Sequence, residues 1–332
     1  MKKFIIKAAA TAAVTLAIGA PQAFAAKYNF TFAHVLMEDT PNAKAAVQFA
    51  REVEEKSGGR IKIHVRPAAQ LGGDVEIIEQ VQMNLVQIGI PPTATLGNFE
   101  PRMQILDLPF ILPTYDTMVK VLDGPAGRQI LDTLEEHNMY GVNFWGAGFR
   151  NITNNIRPIK STADLKGVRM RVMQSPILIS QYRAWGAQPT AMAFTEVYNG
   201  LQQGVVHGQE NPLANIATMR FHEVQKYMTL TNHAYHGYAA VVNKDAWDSL
   251  PEDLQQIMIE AFNNGRDLAR ELTLKDEQEF LNRIRDQIEI HELTDAERQA
   301  FVRDSLAIPK QLEKVVTPQL LKTVHEAAGI KP

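Results

Sequence analysis

The hydrophobic pattern of the first hundred residues alternates between strand-like and helix-like segments. Residues 28–32 are predicted to form a first strand, and residues 61–65 alternate apolar and polar positions as a half-buried strand does. Thr40-Pro41 predicts a helix start between them, because Thr is a good N-cap and Pro suits the first helical position. A second helix is predicted from Asp74, and a short strand at 88–90 follows it. This βαβαβ order is typical of an open α/β lobe.

A second α/β unit is predicted in the middle of the chain. Its helices begin at Ser175, which precedes a proline, and at Thr195, since both residue types cap helices well. Its predicted strands lie at 141–145, 168–173, 207–210 and 238–242.

The segment after residue 249 has a different pattern. Residues 249–252 (Ser-Leu-Pro-Glu) predict a capping box, and apolar positions then recur at helical spacing, without proline, to about Gln287. A continuous helix of this length would span roughly 50–60 Å at about 1.5 Å per residue, which is longer than one small lobe. A break near Gly265 is the alternative, but a helix that bridges two lobes accounts better for the length. Residues 294–297 form a second capping box and predict a further helix.

Residues 1–25 are predicted to be a cleaved signal peptide. Three lysines lie within the first seven residues, a small apolar stretch covers 8–20, and residues 23–25 (Ala-Phe-Ala) form an A-x-A cleavage site. The apolar stretch is too short for a transmembrane anchor, and no cysteine near the cleavage site is present to carry a lipid. The expected location is therefore a bacterial periplasm.

Composition narrows the classes of function further. The chain contains no cysteine, which excludes disulfides, cysteine nucleophiles and cysteine-ligated metal clusters. The net charge of −3 is spread along the chain without a basic stripe, so nucleic acid is not predicted as a partner. A mature chain of roughly 300 residues predicts two domains. The G-x-S-x-G, GxxxxGK and H-E-x-x-H motifs are absent, and no cofactor is predicted.

Several polar residues are candidates for binding an anion. Arg169 and Arg171 share one face of a predicted strand, so they meet either solvent or an anion, and a guanidinium pairs well with a carboxylate or sulfonate. Arg150 follows a Gly-rich strand end, where ligands bind in open α/β lobes, although an exposed loop arginine is the alternative. Residues 207–212 concentrate polar groups, and Asn211 precedes a proline that favours extended or turn geometry.

The histidines do not predict a metal site. His233 and His236 are three residues apart in a strand-like segment, where such residues point to opposite faces. Zinc needs three or four ligands with supporting hydrogen bonds. No metal is therefore predicted.

An ordered set of motifs gives the chain a specific resemblance. The motifs are similar to those of the solute-binding proteins of tripartite ATP-independent periplasmic (TRAP) transporters, of the DctP type. Together they cover nearly the whole mature chain. The motifs lie at 70–72, 108–110, 148–155, 164–172, 186–190, 194–198, 208–212, 223–227 and 250–254.

The resemblance implies an α/β fold with two lobes, an interlobe cleft, a hinge and a long helix spanning both lobes. Lobe I is expected to comprise 26–148 plus 237–276, and lobe II to comprise 149–236 plus 277–332. The family captures a small organic anion in its cleft and delivers it to small and large integral-membrane permease subunits. No enzymatic activity is expected.

The resemblance also assigns site residues by their positions in the motifs. The arginine that binds the substrate carboxylate falls on Arg171, and the second family arginine falls on Arg150. Most relatives carry Asp where this chain has His207, and this change would favour a more anionic or differently shaped ligand. The remaining expected ligand contacts are Asn211, the aromatic Phe194, Gln174, His34 and His233.

The ligand itself is left open by the sequence. Residues 231–243, followed by Trp247, resemble the C4-dicarboxylate branch of the family. A short sulfonate such as isethionate is an alternative, because an arginine that binds carboxylate also suits a sulfonate. Uronates and other sugar acids are the third candidate class of ligand. From other classes, an exported hydrolase would need paired acids in the cleft, and a periplasmic sensor partner would bind the same ligand but signal to a receptor.

Overall fold

The structure is a computed structural model that describes residues 26–306 and 316–329. The predicted signal peptide, 1–25, lies outside these residues. Two β-sheets, one of five strands and one of six, form the cores of two lobes. The predicted two-lobed α/β architecture is confirmed.

Lobe I is built on the five-stranded sheet. The N-terminal βαβαβ unit forms as its pattern predicts, and Thr40 caps the first helix by accepting a hydrogen bond from the Ala43 amide at 3.3 Å. The strands are β1 (Tyr28–Ala33), β2 (Ile61–Arg66), β3 (Ile88–Gly89), β4 (Met139–Phe149) and β10 (Tyr235–Asn243), in the sheet order β2-β1-β3-β10-β4. The helices are α1 (Pro41–Lys56), α2 (Asp74–Gln82), α3 (Thr93–Leu96), α4 (Tyr115–Leu122), α5 (Pro125–Asp132) and α9 (Lys244–Asp248), with 3₁₀ turns at Pro101–Asp107 and Thr133–His137.

Lobe II is built on the six-stranded sheet. The strands are β5 (Asn151–Asn154), β6 (Arg169–Val172), β7 (Gln188–Ala191), β8 (Gly208–Asn211), β9 (Tyr227–Leu230) and β11 (Glu289–Glu292), in the order β11-β9-β5-β8-β6-β7. The helices are α6 (Pro176–Ala184), α7 (Val197–Gln202), α8 (Leu213–Thr218) and α11 (Asp295–Ser305), with 3₁₀ turns at Thr162–Leu165, Phe194–Glu196 and Phe221–Val224.

The chain crosses between the lobes beside the antiparallel pair β4 and β10. Arg150 alone separates β4 from β5, and residues 231–234 separate β9 from β10. The Arg150 amide donates to the Ala234 carbonyl at 2.8 Å, so the two crossings run side by side. Gly148 takes a φ of +97° just before the crossing, a conformation that glycine adopts at little cost. Two adjacent short crossings are the usual construction of a hinge.

The predicted long helix is confirmed as α10 (Glu252–Ile284), which runs 33 residues without a break. At about 1.5 Å per residue it is about 50 Å long. It packs against α1 and β4 of lobe I and against α8 of lobe II. Gly265 does not interrupt it. The predicted capping box at residues 249–252 is wrong, because Pro251 occupies the N-cap and the Ser249 hydroxyl instead donates to the Ala246 carbonyl.

Gly265 allows this helix to approach the sheet closely. A Cβ atom at this position would lie 2.6 and 2.8 Å from two ring carbons of Trp145, which is fully buried. Gly265→Ala is therefore expected to lower the free energy of unfolding by about 1–2 kcal/mol, because overpacking outweighs the gain in helix propensity. Urea unfolding would measure the change. Leu274→Ala, at an exposed position of the same helix, is the control and should change stability by less than ~0.5 kcal/mol. A Gly265→Ala variant more stable than wild type would contradict this packing argument.

The C-terminal helix departs from the expected division into lobes. Helix α12 (Pro318–Ala328) packs against α4 and α5 of lobe I, whereas the sequence placed all of 277–332 in lobe II. Its apolar face, with Leu320 and Val324 buried, is covered by lobe I. Strand β11 joins the six-stranded sheet, and helix α11 contacts the 3₁₀ turn Thr162–Leu165. Within 26–306 and 316–329, no helix combines the length and apolar character needed to cross a membrane.

Candidate functional site

A small cavity lies where the two lobes meet. Its walls come from lobe I, including β10, and from lobe II. Its accessible volume is about 10 Å³, about enough for one water molecule, so the lobes are closed around it. A larger ligand requires the cleft to widen. The lining residues are Val35, Asp74, Pro92, Met173, Phe194, Asn211, Asn215, His236 and Tyr238.

Arg171 is a buried cation close to this cavity, because it lies two residues before the lining residue Met173 and its charge acts on the lining residue Asp74. It lies on β6 and is 1% exposed, so the alternative of a solvated strand face is wrong for this residue. Its Nε donates to the Met192 carbonyl at 3.0 Å, and one terminal nitrogen, Nη1, has no hydrogen-bond partner among the residues that the structure describes. Burial lowers the pKa of Arg171 to about 10, while Glu210 and Asp74 act in the opposite direction. It is therefore still charged at neutral pH and has a free donor for an anion.

Arg169, on the same face of β6, is already engaged. It is half-buried, and its guanidinium donates to the backbone carbonyls of Val205 and Gly204 at 2.9 and 2.5 Å. The two arginines that the strand pattern groups together therefore differ: the guanidinium of Arg169 is bonded to the turn before β8, and that of Arg171 is buried with one nitrogen unpartnered among the described residues.

Arg150 is fully buried between two carboxylates. Its Nη1 donates to Glu210 at 2.9 Å and its Nη2 donates to Asp107 at 3.1 Å, so it links lobe II to a 3₁₀ turn of lobe I. Burial raises the pKa of Asp107 to about 6, with Arg150 opposing the rise. Burial also acts to raise the pKa of Glu210, but Arg150 and His233 outweigh it and hold that pKa below its ordinary value. Of the Arg150 side-chain nitrogens, only Nε lacks a hydrogen-bond partner among the described residues.

His233 belongs to this buried network and does not line the cavity. Its Nδ1 lies 2.8 Å from the Thr231 hydroxyl, and its Nε2 lies 3.6 Å from Glu210 and 3.4 Å from the Tyr182 hydroxyl. Burial lowers its pKa, although Glu210 acts to raise it. The His233 ring therefore contacts Glu210 within the buried network and not within the cavity.

Two predicted contacts of lobe II line the cavity, and a third lies next to it. Asn211 donates to Gln209 at 2.6 Å and accepts from Asn215 at 3.1 Å, which fixes its amide. Phe194 presents an aromatic wall and is 8% exposed. Gln174 follows the cavity residue Met173, and its backbone carbonyl accepts a hydrogen bond from the Asn98 side chain of lobe I.

The structure does not bring the other two predicted histidines to the cavity. His34 lines a separate surface groove of lobe I together with Lys44 and Arg66, and burial lowers its pKa to about 4. His207 precedes β8, four residues before Asn211, or ~13 Å along an extended strand. Its Nδ1 accepts from the Arg169 amide at 3.2 Å, and burial followed by the Arg169 charge lowers its pKa. The expectation that His207 lies beside the cleft is wrong, because it sits at the opposite end of the strand.

The sequence reasoning missed four polar residues that line the cavity. His236 had been weighed only as a metal ligand, yet it is 2% exposed and neither ring nitrogen has a partner among the described residues. Asp74 had been used only as a helix start. Tyr238 and Asn215 complete the set. The available signal was strand alternation, since His236 and Tyr238 share one face of β10.

No cluster suited to a metal ion is found in the part of the chain that the structure describes. No group of three or more His, Asp or Glu side chains there has a geometry that could hold a cation. The polar groups that line the cavity are the Asp74 carboxyl, the amides of Asn211 and Asn215, the His236 imidazole and the Tyr238 phenol. The charge of Arg171 acts on Asp74 from close by.

Comparison with known proteins gives matches along most of the chain. The family model described as bacterial extracellular solute-binding protein, family 7 (DctP) matches residues 32–314. The C4-dicarboxylate-binding periplasmic protein DctP of Rhodobacter capsulatus is 37% identical over 320 residues, which cover 96% of each chain.

Solved structures share the whole fold. A TRAP periplasmic solute-binding protein from Sulfurospirillum deleyianum with bound succinate has a TM-score of 0.86 and 34% identity, covering 91% of this chain and 99% of that one. The sugar acid binding protein of Advenella mimigardefordensis in complex with galactonate has a TM-score of 0.87 and 30% identity, covering 92% and 99%. Because the family model matches most of the chain and the Rhodobacter protein is 37% identical along nearly its whole length, the chain belongs to the DctP family of TRAP solute-binding proteins.

Proposed function

We propose that this protein captures a small organic anion in the interlobe cavity, with Arg171 as the residue that binds the anionic group. The observation that carries the proposal is the buried guanidinium of Arg171, which has one nitrogen without a partner among the described residues. A buried charge is costly unless it is paired, so an anion at this position would supply the missing partner. Phe194 and the fixed amide of Asn211 would shape the rest of the pocket.

Three ligand classes fit the proposal. C4-dicarboxylates are favoured by the name of the Rhodobacter relative and by the succinate bound to the Sulfurospirillum protein. Sugar acids are favoured by the galactonate bound to the Advenella protein. A short sulfonate such as isethionate fits the same arginine, because its oxygens accept hydrogen bonds as those of a carboxylate do.

Family membership supports delivery to the small and large permease subunits of a TRAP transporter and a periplasmic location. The lysines within the first seven residues and the A-x-A site at 23–25 support removal of residues 1–25 as a signal peptide. An enzymatic role is disfavoured. The paired acids that a hydrolase would need, Asp107 and Glu210, are fully buried and both are held by Arg150. A periplasmic sensor partner would use the same cavity, and permease genes beside this one would favour transport.

A thermal-shift screen tests the ligand class. A ligand that binds only the folded protein stabilises it by RT ln(1 + [L]/Kd), so a true ligand at about 100 times its Kd should raise the Tm by roughly 5 °C or more. The panel would contain dicarboxylates, sugar acids and short sulfonates, with matched neutral alcohols as controls. If no organic anion in a broad panel raised the Tm, the proposal would fail.

Ligand binding is also expected to change the shape of the molecule. The closed cavity admits about one water, so the ligand-free protein must open before an organic acid can enter. Small-angle scattering should therefore show a smaller radius of gyration with saturating ligand than without. Arg171→Ala with the same ligand is the control and should remain open. Identical scattering curves for wild type with and without ligand would indicate a rigid, preformed pocket instead.

A further inference from the structure

The lobe I side of the cavity carries polar groups that the anion-binding role of Arg171 does not use. His236, on β10, is 2% exposed, lines the cavity and has both ring nitrogens without partners among the described residues. Its ring packs edge-on against Tyr238, with centroids 4.7 Å apart. Burial, followed by the charges of Arg150 and Arg171, places its pKa well below the ordinary value. The ring is therefore neutral and offers one N–H donor and one nitrogen acceptor.

Asp74, the first residue of α2, brings a carboxyl group to the same cavity from lobe I. Burial raises its pKa to about 7, while Arg171 lowers it and the neighbouring Glu76 raises it. Asp74 and Arg171 come from different lobes, so their interaction exists only when the cleft is closed. Among the lining residues, Asp74 is the one that carries a carboxyl group.

The charged groups near the cavity include one cation that is not bonded to a carboxylate, so they can pair with one ligand anion but not with two. The cations are Arg171 and Arg150. The acids are Asp74, which lines the cavity, and Asp107 and Glu210, which are both paired with Arg150. Arg171 is the one cation of this set without a carboxylate bonded to it. A dianion would place its second charge against Asp74, and like charges in a desolvated site repel strongly.

We propose that Asp74 and His236 form a subsite for a hydroxyl group, so that the ligand is a short hydroxy monocarboxylate and not a dianion. This inference rests on the proposed function, with the ligand carboxylate on Arg171. The cavity holds about one oxygen-sized group, so a hydroxyl there lies against both side chains. It can donate to the Asp74 carboxylate and accept from the His236 N–H, which satisfies both groups. A second carboxylate has no proton to donate and would leave Asp74 unpaired.

Calorimetry tests the subsite with a panel of ligands that share one carboxylate and differ at the other end of the molecule. Succinate, 4-hydroxybutyrate and butyrate share a carboxylate and chain length and differ only in the distal group, while glycerate and erythronate add hydroxyls along the chain. Wild type is expected to bind a hydroxy acid of this panel at least ~tenfold more tightly than succinate, because the like-charge contact is absent. Tighter binding of succinate than of every hydroxy acid at pH 8 would overturn the subsite.

Two variants separate the subsite from the anion site. Asp74→Asn removes the negative charge and should strengthen succinate binding by about tenfold while weakening hydroxy acid binding. His236→Phe keeps a ring and should weaken hydroxy acid binding only. His207→Phe, the same change outside the cavity, is the matched control and should alter neither. Unchanged ligand preference in both cavity variants would overturn this inference but leave the proposed function standing. If wild type bound no acid in the panel or in the broad screen, both would fall.

The pH dependence supplies a further readout. A dianion would raise the pKa of Asp74 above the value of about 7 that burial gives it in the closed cavity, so binding of the dianion would take up a proton. Succinate affinity should therefore increase as the pH falls from about 9 to about 7. The other titratable groups that interact with Asp74 are Arg171, Glu76 and Tyr238, and His236 is neutral throughout this range. Hydroxy acid affinity should not increase over the same interval, and a parallel rise for both ligands would contradict the subsite.

Discussion

Arg171→Ala is expected to weaken binding of the organic anion by about 2–5 kcal/mol, or roughly 30- to 5,000-fold in Kd. The reason is the environment of the guanidinium. It is 1% exposed and has a nitrogen left over after its bond to the Met192 carbonyl, so the ligand anion is its natural partner. Truncating it would leave a bound anion in a desolvated cavity without a cation. Isothermal titration calorimetry with the best ligand from the screen measures the loss.

Two controls sharpen this result. Arg171→Lys should not restore binding, because an ammonium lacks the planar pair of donors that fits a carboxylate. Arg169→Ala, two residues earlier on the same strand face, removes an arginine that is bonded to backbone carbonyls outside the cavity and should leave Kd within about threefold. Near wild-type affinity in Arg171→Ala would refute the assignment.

Arg150→Met is expected to have its main effect on stability. The change leaves the buried carboxylates of Glu210 and Asp107 without their cation, a situation that typically costs about 3–5 kcal/mol. For a chain of this size the Tm should fall by roughly 5–15 °C. Differential scanning calorimetry without ligand measures this directly and separates it from any loss of binding.

The pH dependence of this loss has a definite sign. The pKa of Asp107 is already raised to about 6 in the folded protein, and loss of Arg150 would raise it further, together with that of Glu210. The destabilisation should therefore be largest near pH 8 and should shrink as the pH falls towards 5, where both acids take up protons. Arg150→Met combined with Asp107→Asn and Glu210→Gln should recover much of the stability. A loss that is the same at both pH values would show that packing, and not charge, explains the effect.

The predictions that succeeded depended on local patterns. Local sequence patterns predict the cap at Thr40, the βαβαβ order and the long helix α10. The folded protein keeps all three, because tertiary packing does not override these patterns. The assignment of Arg171 to the ligand rests on strand parity combined with the family resemblance, and it stays a prediction. The capping box at residues 249–252 failed because Pro251 itself occupies the N-cap and Ser249 bonds to the preceding helix.

The predictions that failed depended on distant parts of the chain. Strand parity separates His233 from His236, but only the packing of β10 shows which of them faces the cavity. His207 was judged by its nearness to Asn211 in sequence, yet a strand separates neighbours by about 3.3 Å per residue and places them at opposite ends. No local sequence signal predicts that α12 packs against lobe I. The pattern of an amphipathic helix shows which of its faces is buried, but not which surface covers that face.

Strand β10 lies between β3 and β4 in the five-stranded sheet, and this position affects the order in which the sheets can form during synthesis. In the order β2-β1-β3-β10-β4, strand β4 has β10 as its only neighbour, and β10 is not complete until residue 243. Five strands of the second sheet, β5 to β9, come from the continuous stretch 151–230. The sheet that begins the chain therefore cannot be completed until five of the six strands of the other sheet have been made, and only β11 of that second sheet follows β10. Every N-terminal fragment that stops before β10 carries an unfinished sheet edge, the kind of surface on which nascent chains associate wrongly.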